Sequence, residues 1–490
     1  MFLDNPAVWL FAAIAVPCAL LAIKYWQSAL FGVFVLLVFE GALRKWVFPW
    51  AQAQIYLVKD AILLAVYLGF ILDSRRNLFP PKGAALIKIG LLVSFVWGCI
   101  EILNPNSPSI LVGLVGLKAY FLYPPIAFIL PYAIKSREHL FVLIRRYLIM
   151  AIPVAILGFI QIMAGPGSSL NTYVSHSENT QAMLAYFGHE DFVRTSGTFS
   201  YISGYTTFLS FVAFLAIGYN MAHGWRIKNN IIPLLALSLL IGAMFTTGSR
   251  APVYQLLAMA PIILLLATTR RVLSFQTAMR LSMVVPIIAA LALSTSSGAF
   301  QAFMERAEEN SGETLARLIQ PLNQTIGVLS DVPALGMGIG TTHAASLSIM
   351  GAELTWWLPS ELWTEDEMAR VTVEQGPIGL LLNYFLRFLI AAFALRCAFK
   401  DPAYSALGIV LAVWLAMGVV LPIMLNVTMG LYYWGALGLV LAMRRLEASA
   451  GAEFGTVLVR GAGQTTNLQP VMPRAGAARR RQILQADSSK

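Results

Sequence analysis

Apolar runs of about 20 residues, the length that crosses a bilayer as an α-helix, recur along almost the whole chain and leave few alternatives for its fold. A backbone in hydrocarbon must satisfy its own hydrogen bonds, and a helix does so within each run. About thirteen runs meet that length, at residues 7–23, 28–43, 54–72, 85–103, 109–134, 140–164, 200–221, 231–246, 251–268, 281–297, 377–397, 405–425 and 429–443. Some are short, and Pro124, Pro125, Pro153 and Pro286 fall inside others, so the expected bundle has about 12–14 spans. Composition agrees: 58% of the 490 residues are apolar and 12% charged, against about 45–50% and 25% in a soluble domain. This disfavours a soluble enzyme, a nucleic-acid-binding domain and a disordered protein, and predicts an all-α polytopic membrane bundle.

The formal charge of +10 does not gather into one solvated basic face. It falls in small groups between apolar runs: Arg75-Arg76, Lys135 to Arg146, Arg226 to Lys228, Arg270-Arg271, Arg396 to Lys400 and Arg444-Arg445. Cytoplasmic loops have this pattern. It predicts a C-terminus inside, an N-terminus outside, and two long outward segments at about residues 165–199 and 298–376. The second segment is acidic, contains Trp356, Trp357 and Trp363, and carries a helix-like stretch from Phe300 to Val328. Such a long loop is expected to be functional. Residues 1–446 form the membrane domain, and residues 447–490 read as a disordered cytoplasmic tail. The first run lacks a basic leader and follows Asp4, so it is expected to be a span and not a cleaved signal.

Several patterns carry little chemistry. Cys18, Cys99 and Cys397 lie in apolar runs and imply no disulfide framework. His139, His176, His189, His223 and His343 show no metal-ligand spacing, so no metal and no cofactor is expected. Gly336-x-Gly338-x-Gly340 lacks a surrounding βαβ unit and reads as a turn. No internal repeat is visible, which weighs against many transporter architectures.

The informative residues are cations at the expected outer face, where topology gives no reason for them. They are Arg44, Lys45, Lys59, Arg194, Arg250, Arg306, Arg317 and Arg370. Guanidinium groups bind phosphate through a permanently charged planar fork, which suits a pyrophosphate. Glu40 and Arg44, four apart on a helix, and the adjacent Lys59 and Asp60 are candidate structural pairs. Lys118 lies in the apolar stretch from Gly113 to Tyr123, where an ammonium needs a partner, a wet cavity or a route to the interface.

Four short motifs resemble the bacterial O-antigen ligase and polysaccharide polymerase superfamily. They are Arg194-Thr195-Ser196-Gly197-Thr198-Phe199 with Gly204, Thr247-Gly248-Ser249-Arg250, Pro333-x-x-Gly336-x-Gly338-x-Gly340, and Arg370-x-x-x-Glu374-x-Gly376-x-x-Gly379. The likeness covers about residues 110–445. It implies a multi-pass glycosyltransferase of the bacterial inner membrane, acting on polyprenyl-pyrophosphate-linked oligosaccharide without metal or nucleotide sugar. A glycan or lipid acceptor would attack the anomeric carbon at the outer face. On the matching positions, Arg194 and Arg250 would grip the pyrophosphate, helped by Arg317 and Arg370, while Glu374 would position Arg370 or serve as base. Arg44, Lys118 and His343 are further candidate substrate contacts. Superfamily ligases usually carry a histidine shortly before the Glu-x-Gly element; here Trp363 to Arg370 contains none. That favours a polymerase-like member and leaves the base open among Glu365, Asp366, Glu367, Glu374 and His343. A transporter or flippase for a glycolipid or another anionic solute is the alternative, and an envelope-assembly scaffold a third. If the protein is an enzyme, Arg194, Arg250, Arg370 and Glu374 are expected to line one outward-opening cavity with Lys118 in its floor or wall.

Overall fold

The computed structural model describes residues 6–73, 83–174, 183–184, 193–225, 227–279, 311–351, 357–400 and 406–462. Its helices are α1 (Pro6–Lys24), α2 (Trp26–Ala42), α3 (Gln52–Leu72), α4 (Ala85–Ile102), α5 (Ile110–Phe121), α6 (Ile126–Ala133), α7 (Arg137–Ala164), α8 (Ile202–Ala222), α9 (Ile227–Thr246) and α10 (Ala251–Thr269). Helices α11 (Ser311–Leu329), α12 (Ala344–Met350), α13 (Glu367–Lys400), α14 (Ala406–Met417) and α15 (Val427–Ala462) follow. Two short strands, Thr172–Tyr173 and Met183–Leu184, pair antiparallel. The fold is an all-α, multi-pass membrane bundle. Among the described residues seven helices are long and apolar enough to cross a membrane, or eight if α5 and α6 form one bent span.

Departures from the expected spans have local causes. The 109–134 run is broken between α5 and α6, which meet at 42°, because Pro124 and Pro125 lack amide protons and disfavour helix before them. The 405–425 run is helical only to Met417, and the chain is irregular until α15 begins at Val427. Helix α13 bends at Gly376, whose φ is 64°. The expected span at 281–297 lies outside the described residues.

The chain divides into two compact units, Met1–Leu446 and Glu447–Lys490. Helix α15 continues to Ala462, so the stretch expected to be irregular starts as helix. Its alanines at 448, 450 and 452 are strong helix formers.

Hydrogen bonds between distant segments gather the helix ends in two sets. At one end, the loop end, Thr195 meets Thr246, Asn104 reaches the carbonyls of Leu335 and Gly336, and Asn426 reaches Ser203. At the other, Trp26 bonds Asp73, Arg445 bonds the Pro131 carbonyl, and Arg444 lies 3.0 Å from Cys397. Helix α8 is the central shaft: 72% of its membrane-length window is buried within the protein, as befits a helix apolar on all sides. Around it Phe211 stacks on Tyr432 at 4.3 Å and touches Trp414. The Arg194–Phe199 motif leads directly into this shaft.

Candidate functional site

Three loop-end arrangements hold most of the singled-out residues. The first is an ionic knot between α2, α3 and α5. Lys59 bonds Glu40 at 3.0 Å and lies 3.8 Å from Asp60, whereas Asp60 takes Lys118 at 2.5 Å. Neighbouring residues on a helix point about 100° apart, so Lys59 and Asp60 serve partners on different elements more closely than each other. Arg44 reaches Glu40 at 3.3 Å and the Ser200 hydroxyl at 3.0 Å. The Tyr56 ring sits among three cations, with Lys59 at 3.7 Å, Lys118 at 4.6 Å and Arg44 at 5.2 Å from its centroid. Arg44, Lys59 and Lys118 against Glu40 and Asp60 leave a net positive charge. Lys118, half-buried, is therefore paired and keeps 28% of its side chain exposed.

The second arrangement is the Arg194–Phe199 segment, threaded among helix ends. The buried Lys45 ammonium donates to the Ser196 hydroxyl and the Gly197 carbonyl. Gln161 donates to that carbonyl and accepts from the Gly197 amide, and the Thr198 hydroxyl donates to the Val38 carbonyl. These bonds hold Arg194 at a fixed height over the Thr247–Arg250 turn, where a Cβ placed on Gly248 would lie 3.3 Å from the Arg194 Cγ. Burial lowers the Arg194 pKa, opposed by Tyr173, yet a guanidinium stays charged. Arg194 borders an open cavity of about 470 Å³ whose other walls include Tyr173, Tyr201, Thr207, Gln255 and Asn426, with Trp414 behind them. Ser249 and Ala251, which flank Arg250, line the same cavity. Ile202, Leu421, Pro422 and Met429 complete the lining, so hydroxyls, amides and one cation share the cavity with a larger apolar surface, which suits a sugar's apolar face and hydroxyls beside an anion.

The third arrangement is a clasp between the glycine loop and α13. Gly336 and Gly340 have φ of 73° and 88°, a region that favours glycine. Both also lack room: a Cβ on Gly336 would lie 2.6 Å from the Glu374 carbonyl oxygen, and one on Gly340 would lie 2.7 Å from the Gly116 Cα in α5. The Met337 amide donates to the Val373 carbonyl. Glu374, 2% exposed, accepts from the Thr342 amide at 3.0 Å, the Thr342 hydroxyl at 2.6 Å and the Tyr120 hydroxyl at 2.8 Å. The clasp thereby orients Arg370, which donates from Nε to the Thr364 carbonyl and from a terminal nitrogen to the Thr342 carbonyl.

His343 joins the clasp to the knot. Its pKa is pushed down to about 4, first by burial and then by the positive charges of Lys118 and Arg370. Its Nδ1 accepts the Ala345 amide, capping α12. The neutral ring therefore carries its proton on Nε2, a donor and not a base. On the far flank, Arg44 offsets the burial that raises the Tyr201 pKa; Tyr201 and Tyr173 pair edge to face at 6.0 Å, and Tyr173 faces Arg194. Cation–π contacts join Lys118, Tyr56 and Arg44, and charge acting through space extends this line to His343 and Arg370 on one side and to Tyr201 on the other, where Tyr173 bonds the Arg194 carbonyl.

Among the described residues these side chains follow one another along the loop end. Of the four residues expected to share a cavity, Arg194 borders the 470 Å³ space, Arg250 begins α10 beside it, Arg370 stands at the opposite end of the line, and Glu374 faces the scaffold. Arg306 lies outside the described residues, as does the side chain of Arg317.

Of the open base candidates, Glu367 is also committed to structure. It pairs with Arg387 and accepts the amides of Ile423, Met424 and Leu425. Arg387 was not singled out in the sequence because it lies in an otherwise apolar run; Lys45 and Gln161, which build the second arrangement, lack a motif of their own. Asp366 differs from both glutamates. One of its carboxylate oxygens is buried without a hydrogen-bond partner, and burial with the neighbouring Glu365 raises its pKa against the pull of Arg370. Among the described residues no group of His, Cys, Asp and Glu is arranged to hold a metal.

Comparison with protein-family models, curated proteins and solved structures finds no match.

Proposed function

We propose that the protein is a glycosyltransferase that extends or transfers a polyprenyl-pyrophosphate-linked glycan at the face onto which its loop end opens. The carrying observation is the line of fixed cations from Arg370 to Arg194 ending beside a cavity of mixed polar and apolar lining. An array of immobile positive groups, partly withdrawn from water, stabilises charge gathering on a leaving pyrophosphate without having to reorganise. The cavity beyond Arg194 suits the neutral, hydroxyl-rich sugars attached to that anion. The acceptor oxygen forms a bond to the anomeric carbon as the bond from that carbon to the pyrophosphate breaks, and the carrier departs with the electron pair.

Asp366, beside Arg370 at the end of the line away from the cavity, supports the role of base for an acceptor that enters from that end. Its unpartnered oxygen has acceptor capacity left, and its raised pKa moves it toward the working range of a base. Glu367 and Glu374 have their oxygens taken by amides and hydroxyls, and His343 presents a proton. The motif resemblance supports the same class, with the histidine-free stretch before Glu374 favouring chain extension over capping. Basic groups at the far end, among them Arg137, Arg145, Arg270, Arg444 and Arg445, support an orientation with that end in the cytoplasm and the loop end outside a bacterial inner membrane.

The test is a transfer assay with purified protein in lipid nanodiscs, given lipid-linked oligosaccharide and acceptor. A new glycosidic bond made by the unmodified protein and lost in Arg194→Ala is the expected result. In sealed vesicles, glycolipid crossing the bilayer without any new bond would instead establish a transporter.

A further inference from the structure

The end of the bundle away from this line holds a second, separate pocket. It has a volume of about 310 Å³ and is lined by Arg137, Glu138, Phe141, Val142 and Arg145 of α7, with Tyr219 of α8 and His223 just beyond it. The walls differ in character. Phe141 meets Tyr219 and His223 edge to face, at 5.8 and 5.0 Å, while Tyr219 and His223 stack at 4.2 Å. The His223 Nδ1 donates to the Tyr219 carbonyl at 2.8 Å, which holds the imidazole in that stack. An aromatic ledge is thereby fixed in a pocket that two guanidinium groups also line. Arg137 lies over the Phe141 ring at 5.9 Å, and Arg145, two turns further along α7, also lines the pocket. Among the described residues neither arginine forms an ion pair; Glu138 is the only acid in the lining.

Depth settles what such a pocket meets. Arg137 begins a 28-residue span and Ala222 ends a 21-residue span, so the pocket sits where helices leave hydrocarbon, level with lipid headgroups. Two unpaired guanidiniums beside an apolar ledge suit a phosphate with a hydrophobic continuation, since arginine takes phosphate oxygens bidentately and basic pockets between spans hold anionic headgroups. We propose that this pocket binds the phosphate of an anionic phospholipid, with Arg137 and Arg145 on the phosphate and Phe141 and Tyr219 against the glycerol and first methylenes.

Both arginines are exposed, so replacing them leaves the fold intact. Full-length protein in neutral detergent is titrated with dioleoyl phosphatidylglycerol, dioleoyl phosphatidylcholine or glycerol 1-phosphate, and bound adducts are counted by native mass spectrometry. The expected result is a preferred phosphatidylglycerol adduct that weakens about tenfold in each of Arg137→Gln and Arg145→Gln, the factor for one lost charge-assisted bond. Lys135→Gln, which removes an equal charge at the same end, leaves it unchanged. Glycerol 1-phosphate binding as tightly as the lipid, and depending on the same arginines, would keep the phosphate site and assign it to a soluble phosphate. Adducts insensitive to both arginine substitutions, or equally weakened by Lys135→Gln, overturn the proposal.

Discussion

Glu374 accepts both the backbone amide and the side-chain hydroxyl of Thr342, at 3.0 and 2.6 Å. One carboxylate oxygen thereby ties the kinked part of α13 to the end of the glycine loop, while the other takes Tyr120 of α5. Replacing it by glutamine turns an acceptor into a donor facing other donors. Each buried group left unsatisfied costs about 1–3 kcal/mol, so Glu374→Gln is expected to lower thermal stability and activity together. Unfolding in detergent, followed beside the transfer assay, checks this; normal stability with lost activity would return Glu374 to the chemistry.

Asp366 is expected to behave in the opposite way. Asp366→Asn keeps size and polarity but cannot take a proton, so transfer falls by about 100-fold or more with the melting temperature unchanged. Glu365→Gln, the exposed neighbour, is expected to retain activity. Single-turnover rates on the two variants give the comparison.

Arginine and lysine differ as phosphate ligands, because only the guanidinium offers a planar fork. Arg194→Lys keeps the charge over the Thr247–Arg250 turn but is expected to lose most of the activity, and Arg194→Ala to lose about 100- to 1,000-fold. If lysine restores full turnover, the bidentate grip is not what Arg194 supplies.

His343 ties stability to acidity. Its pKa is about 4 in the folded protein and about 6.5 in an unfolded chain. Between those values the unfolded chain binds more protons. Stability therefore declines as pH falls from about 6.5 toward 4 and levels off below that, by up to about 3 kcal/mol from this group. In His343→Gln that portion of the pH dependence disappears, which melting curves from pH 4 to 7.5 resolve.

Two glycines with positive φ separate backbone strain from crowding. Gly165, with φ of 76°, has nothing within 4 Å of where a Cβ would stand, so Gly165→Ala costs about 1–3 kcal/mol. Gly340→Ala adds a clash with the α5 backbone at 2.7 Å and is expected to yield no folded protein. Gel-filtration yield from detergent distinguishes them.

Residues whose roles depend on their own run of sequence were legible before the structure. Apolar length marked most helices and charge spacing marked Glu40 with Arg44, whereas the 109–134 run read as one span and the break at Pro124-Pro125 emerged only in the structure. Residues whose roles depend on distant partners were not. Glu367 and Glu374 look like catalytic acids in sequence because nothing there reveals the amides and hydroxyls that consume them. Lys118 was visible as an intramembrane charge, but its partner Asp60 lies 58 positions away. Gly116 and Gly340 reveal themselves only as a pair, each leaving space for the other's backbone.

The Glu367 carboxylate on the amides of Ile423, Met424 and Leu425 has a mechanical consequence. Polypeptide that unwinds between α14 and α15 gives up its internal ladder, and neither hydrocarbon nor a packed interior returns those bonds. Glu367 replaces the missing acceptors, while Arg387 holds the carbonyls of Gly418 and Leu421. The corner is thus braced from both polarities by α13 and is stiff, so any movement that admits a long lipid-borne chain has to occur elsewhere in the loop end.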